Sequence, residues 1–201
     1  MLRMLPRFVS STRMLIVPLA LIAFAAGGSG QASAQEWAVN KAKSKITFEV
    51  DAGGQLLTGE FETFQAEIHF DPDYPDMAEV AAAIDVNTVT TGQSQVDAAL
   101  LGKDWFDAQT FPAVGFRAKA IKPAGSGGRY VLEGNLAIKG ESAPISMPFT
   151  LKVVEGEATV RGMTTINRSV FGLGPNGPVS GTVIGNIVTV KLDLAATRLD
   201  N

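Results

Sequence analysis

Few residues of this chain have the types and spacing that acid–base or nucleophilic chemistry requires. His69 is the single histidine, and its place in an alternating segment, between Ile68 and Phe70, predicts a solvated outward side chain rather than a general base. The sequence contains no cysteine, which excludes disulfides, thiolate metal sites and cysteine nucleophiles. No serine occupies the G-x-S-x-G pattern of a nucleophile elbow.

Two groups of acidic residues come nearest to a metal-binding or catalytic pattern. Asp71, Asp73 and Asp76 are spaced like part of a calcium loop, but prolines interrupt them and the sixth position lacks glycine. Asp97 or Asp104 could act as acid or base in a hydrolase or isomerase of a small apolar substrate, which is our third-ranked hypothesis. We predict no catalytic residue and no metal site, and therefore no enzyme.

The segment from Thr88 to Phe116 is the one part of the chain that interrupts a β pattern. Val96 and Leu100 lie four residues apart on one predicted helix face. Ser94 and Asp97 resemble a capping box at the start of that helix. We therefore predict a short helical segment near residues 94–107.

Large aromatic side chains follow that helix. Trp105, Phe106 and Phe111 come close together, and Pro112 ends any helix. Such a segment either fills a core or closes over something apolar, and the residues themselves favour the first reading.

The first 34 residues have the pattern of a secretory signal peptide. Three arginines precede the apolar run Met14–Ala26, and a small-x-small pattern ends at Ala34. We predict cleavage after Ala34, a single barrel domain over residues 35–201, and a periplasmic location. Cleavage removes three of 17 basic residues and none of 20 acidic ones, so the net charge falls from −3 to −6. This charge argues against nucleic acid as a partner.

Alternation of apolar and polar residues dominates the rest of the chain. Ile46, Phe48 and Val50 form one such row, and similar rows recur up to Leu194 with short glycine-containing turns between them. This pattern predicts an all-β fold: a single antiparallel up-and-down, lipocalin-like β-barrel of about eight strands. The interior of such a barrel is either filled by side chains or open to one small ligand.

Several segments together resemble the YceI family of exported, lipocalin-like barrels, from Trp37 to Arg198. The segments that carry the resemblance are WAVNKAKSKITFEV, LLTGEFETF, AEIHFDP, DAALLGKDWFDAQTFPAVGF, YVLEGNLAIKGESAPISMPF and INRSVFGLG. The resemblance implies a non-enzymatic protein that holds a polyprenyl or quinone tail, or a similar lipid, inside the barrel as a carrier or sequestering protein. No cofactor is implied beyond that ligand. Two departures from common family members put any headgroup contact at those positions in doubt: VDAGGQ lacks a histidine, and Val96 stands where an arginine is common.

The binding hypothesis assigns residues to three parts of the barrel. The helical segment would cover one end through Leu100, Trp105 and Phe106. Lys103, Asn167 and Arg168 could meet a polar headgroup at the mouth, although an ion pair that closes the barrel explains Arg168 equally well. The wall candidates, each of which could also be an ordinary core residue, are Phe48, Val50, Phe64, Ile68, Phe116, Leu136, Phe149 and Phe171.

An alternative function also fits the sequence. In it the barrel is filled, and the aromatic segment docks on a membrane redox partner such as a cytochrome. The similarity to family domains found beside di-haem membrane cytochromes supports this alternative only weakly. The sequence leaves a homodimer open.

Overall fold

The computed structural model describes residues 35–174 and 183–199. The predicted leader, residues 1–34, and its cleavage site after Ala34 lie outside these ranges. The described residues form one α-helix, α1 (Ser94–Leu101), and short 3₁₀ turns at Lys41–Lys43, Pro75–Met77, Val86–Thr88 and Arg168–Phe171. Their strands are β1 (Glu36–Val39), β2 (Lys45–Ala52), β3 (Gln55–Phe61), β4 (Phe64–His69), β5 (Glu79–Asp85), β6 (Val89–Thr90), β7 (Ala113–Pro123), β8 (Arg129–Ile138), β9 (Glu141–Val154), β10 (Glu157–Asn167) and β11 (Ile184–Arg198).

The strands close into an antiparallel barrel. Hydrogen bonds link them in the order β1-β4-β5-β7-β8-β9-β10-β11, and β11 pairs back to β1 through Trp37 and Arg198. At the other end of β11 the same edge pairs with β2, which continues the wall into β3 and β6. The predicted all-β, lipocalin-like barrel of eight strands with one short helix is confirmed.

The two ends of the barrel have separate hydrophobic clusters. The helix end contains α1, the 3₁₀ turn Arg168–Phe171 and a cluster around Val86, Leu100 and Phe171. The far end contains a smaller cluster around Trp37. No α-helix or 3₁₀ turn of the described ranges is long and apolar enough to cross a membrane.

Inward-facing glycines allow two large rings to lie flat against the barrel wall. A Cβ atom on Gly59 would stand 2.3 Å from Cζ of Phe48, and one on Gly134 would stand 2.5 Å from Cζ of Phe116. Each ring therefore occupies the space that a side chain of the neighbouring strand would take. These two rings therefore fill less of the barrel centre than rings that pointed inward would fill.

The predicted capping box at the start of α1 is wrong. The N-cap residue is Gln93, and it makes no side-chain cap hydrogen bond. Asp97 instead accepts hydrogen bonds from the backbone N of Thr91 at 2.7 Å and from its Oγ1 at 2.6 Å. The carboxylate is used by the loop that folds back over the helix, so it stabilises the connection between β6 and α1.

The Gly59–Phe48 contact gives a test of this packing. We expect Gly59→Ala to lower the free energy of unfolding by about 1–3 kcal/mol, because the added methyl group meets the ring and the carbonyl oxygen of Thr90. Urea unfolding would measure the change. Gly115→Ala is the matched strand control, since its nearest neighbour is 3.9 Å away, and equal stability of the two variants would contradict the packing argument.

Candidate binding chambers in the barrel

The barrel contains two apolar cavities rather than a solid core. The helix-end chamber has a volume of about 110 Å³, and the far-end chamber has a volume of about 190 Å³. A dry apolar cavity of about 150 Å³ is large enough to hold a benzene-sized molecule. The two chambers meet at a shared level of five side chains: Ile46, Ile84, Leu136, Ile166 and Val190.

Ten of the eleven predicted wall and cover residues border a chamber. Phe171 does not; it is 2% exposed and packs in the core of the helix end. Whether a ligand contacts any of the eleven stays a prediction. The helix-end chamber is bordered by Phe48, Val50, Leu100, Trp105 and Phe106, the far-end chamber by Phe64, Ile68, Phe116 and Phe149, and both by Leu136.

Buried aromatic side chains close the far end. Trp37 donates a hydrogen bond from Nε1 to the carbonyl oxygen of Phe70 at 2.8 Å, and both residues are 5% exposed. The ring of Phe70 meets Tyr130 edge-on at 5.4 Å, and Tyr130 stacks on Phe149 at the same distance. Sequence reasoning missed Trp37 and Phe70. The sequence did contain a signal for them, because each is a large aromatic residue at the end of an alternating apolar–polar segment.

The aromatic segment after α1 closes the helix end. Trp105 is 9% exposed and Leu100 is 5% exposed, and both border the helix-end chamber. Phe106 contacts Phe61 edge-on at 5.9 Å. One side of the segment thus packs in the hydrophobic core, and the other side lines a cavity. The two interpretations from the sequence, that the segment fills a core or closes over an apolar space, each describe part of it.

Arg168 is a buried cation on the wall of the helix-end chamber. It is 8% exposed, and burial lowers the pKa of its guanidinium from the ordinary value. Its guanidinium lies 5.2 Å from the centre of the Trp105 ring. The described residues offer it no carboxylate, so the ion pair considered from the sequence does not form there.

Backbone carbonyl groups hold the Arg168 guanidinium in place of an anion. Nε donates to Gly185 at 2.9 Å, and Nη2 donates to Ile184 at 2.8 Å. Nη1 donates to Gly174 at 3.0 Å and also to Leu173. The side chain therefore ties β11 to the residues after the 3₁₀ turn Arg168–Phe171, and most of its donors are used within the protein.

The other two predicted mouth residues lie outside both chambers. Lys103 is exposed, and its carbonyl oxygen accepts a hydrogen bond from Nζ of Lys139 at 2.7 Å. Asn167 is exposed as well, and its side chain caps the following turn by accepting from the backbone N of Ser169 at 3.1 Å. Their contact with a headgroup stays a prediction.

Two of the acidic residues considered as metal or acid–base candidates are engaged in local structure. Asp71 accepts from the backbone N of Asp73 at 2.9 Å, which is a turn contact. Asp97 is held by the loop before α1. Within residues 35–174 and 183–199, no three His, Asp or Glu side chains converge as metal ligands would.

Comparison with known proteins agrees with the closed barrel and its short helix. Residues 37–196 match the family described as the YceI-like domain. The chain belongs to the YceI family. The resemblance identified from the sequence motifs is therefore confirmed.

Solved and curated YceI relatives cover most of the chain. The crystal structure of BcnA from Burkholderia cenocepacia is similar, with a TM-score of 0.74 and 32% identity over 80% of this chain and 100% of that one. A UPF0312 protein of Pseudomonas fluorescens is 27% identical over 170 residues, which are 77% of this chain and 85% of that protein. A structure described as a polyisoprenoid binding domain from Saccharophagus degradans shares the fold, with a TM-score of 0.65 and 15% identity over 82% of this chain and 99% of that one.

The carbonyl cradle around Arg168 makes a stability prediction. We expect Arg168→Lys to lower the free energy of unfolding by about 2–4 kcal/mol, because one ammonium group cannot serve all four carbonyl groups and leaves some unsatisfied. Chemical denaturation would measure the loss. Arg161→Lys is the control, because its ion pair with Asp193 is largely exposed and should change stability by less than about 0.5 kcal/mol.

Proposed function

We propose that this protein is an exported, non-enzymatic binding protein that holds the apolar tail of an isoprenoid, such as a polyprenyl or quinone chain, inside its barrel. It would act in the periplasm as a carrier or sequestering protein. The observation that carries the proposal is the pair of adjoining apolar chambers within a closed wall.

The chemistry of the chambers suits hydrocarbon. Arg168 is the only charged residue on either wall within the described ranges. A polyprenyl tail has no hydrogen-bonding groups, and each buried CH₂ contributes about 0.8 kcal/mol before ordering costs. The name of the Saccharophagus degradans structure, a polyisoprenoid binding domain, supports the same ligand class.

The shared level of side chains between the chambers sets a condition on the ligand. A short molecule fits one chamber, whereas a longer chain must displace Ile46, Leu136 or their neighbours to occupy both. A flexible chain that is unbranched, or has one methyl branch per isoprene unit, passes between these side chains more easily than a rigid ring system does. This favours an isoprenoid chain over a bulky polycyclic lipid.

The filled-barrel alternative loses its main premise, because the lumen contains cavities. The proposed binding needs no cofactor and no catalytic group. A membrane redox partner and a homodimer remain predictions.

Filling the far-end chamber should shorten the bound chain. Ala82 borders that chamber, whereas its neighbour Ala83 on β5 is exposed. We expect Ala82→Phe to reduce the amount or the chain length of co-purified lipid, and Ala83→Phe to leave both unchanged. Native mass spectrometry of the purified proteins would compare them, and identical lipid content in the two variants would refute binding in this chamber.

The two tryptophans allow the orientation of a ligand to be measured. Trp37 lies at the far end and Trp105 at the helix end. Ubiquinone with two isoprene units is a suitable probe, because its ring quenches nearby tryptophan fluorescence. We expect the ring to lie near Arg168, so quenching should be strong in Trp37→Phe, which keeps Trp105, and weak in Trp105→Phe. The reverse pattern would place the ring at the far end.

A further inference from the structure

We propose that the hydrocarbon chain enters and leaves sideways, through the barrel wall between β9 and β10, rather than through an end. The passage is the β9–β10 seam, formed by residues 141–148 of β9 and 163–167 of β10. The proposal rests on the proposed function, since it concerns how the same chambers are filled.

The hydrogen-bond ladder between β9 and β10 stops halfway along the strands. It pairs Glu157 with Val154 and continues to Gly162 opposite Phe149, where it ends. On its other edge, β10 stays paired with β11 as far as Asn167. The interruption therefore belongs to the contact with β9 and not to a general fraying of β10.

Two prolines in β9 account for the interruption. The carbonyl group of Ser146 faces β10, because it accepts a hydrogen bond from Oγ1 of Thr164 at 2.7 Å. Residues two positions away present their backbone groups to the same side. Pro144 and Pro148 fall at these positions and have no N–H to donate, so β9 cannot offer β10 a regular ladder there.

The seam opens at the level where the two chambers meet. Ile145 and Thr164 border the far-end chamber, and Ile166 borders both chambers. All three side chains face inward and yet are partly exposed. A chain that crosses the seam would reach either chamber without passing the shared level first.

A groove on the outer surface begins where the ladder ends. It has a volume of about 690 Å³, and Pro148 and Met163 border it from the two sides of the seam. Phe149 and Gly162 border both this groove and the far-end chamber. Gly162 has no side chain, and the side chain of Met147 covers it, since a Cβ atom there would stand 2.9 Å from Sδ of Met147. A flexible methionine therefore separates the far-end chamber from the groove at this point.

Buried residues also stand at the other possible routes. Trp37 and Phe70 are buried at the far end, and Trp105 covers the helix end. The wall is also irregular at the 3₁₀ turn Lys41–Lys43, but Ser44 is 8% exposed there and is hydrogen-bonded to the backbone of β11.

A disulfide across the seam tests the passage, because the natural chain has no cysteine. Continuing the register places Ser146 opposite Thr165, which gives the double variant Ser146→Cys, Thr165→Cys. The probe is ubiquinone with two isoprene units, and stopped-flow quenching of tryptophan gives both rates. We expect oxidation to slow association and dissociation by about tenfold or more with little change in Kd, and a reductant to restore them.

A matched control places the same bond beside the seam. Thr165 pairs with Thr189 across the intact β10–β11 ladder, so oxidised Thr165→Cys, Thr189→Cys should bind the probe at the rates of the unmodified protein. Pro144→Thr with Pro148→Val is a second test that needs no disulfide: restored N–H donors should slow exchange and increase amide protection in β10.

The outcomes separate the two proposals. If the unmodified protein binds no ubiquinone and no other isoprenoid, the proposed function fails and the passage fails with it. If the protein binds the probe, but the oxidised seam variant and the proline variant exchange it as fast as the control, the passage is refuted while the binding function stands.

Discussion

Closure of the wall by β11 is the constraint on which the rest of this structure depends. From Ile187 to Thr197 this fifteen-residue strand pairs with β10, and its other edge is shared by β2 and β1. A sheet of the same strands left open would expose its inner apolar rows to water. Because the ring is closed, those rows face one another, and any space that they leave unfilled is a dry cavity.

The two chambers exist because phenylalanine side chains lie against glycines on neighbouring strands. Phe48 lies over Gly59 and Phe116 lies over Gly134, so large rings line the wall without reaching the centre. Close packing is the rule in protein interiors, and each void forgoes dispersion contacts. A barrel that keeps two chambers at this cost in stability is consistent with a ligand that supplies the missing contacts.

The sequence predicted what depends on period and composition. Alternation placed Phe48 and Phe149 on the inner face, and the spacing of Val96 and Leu100 predicted α1. The place of this helix at one end of the barrel came from the family resemblance. The partners of Arg168 were beyond reach, because they are backbone carbonyl groups that only the folded chain brings together. The division into two chambers depends on rotamers and on glycine recesses. Pro144 and Pro148, by contrast, were a readable signal of a broken ladder that the pattern analysis passed over.

The buried guanidinium of Arg168 places a positive charge at the wall of the helix-end chamber. No acidic side chain of the described residues forms an ion pair with it, so backbone carbonyl dipoles are its direct partners. A lipid or detergent with a quaternary ammonium head would carry like charge into a region of low permittivity and be repelled. Neutral or anionic amphiphiles escape that repulsion. In the proposed function, this cation would select the ligand by the charge of its headgroup, and the apolar walls would select the tail by length and width.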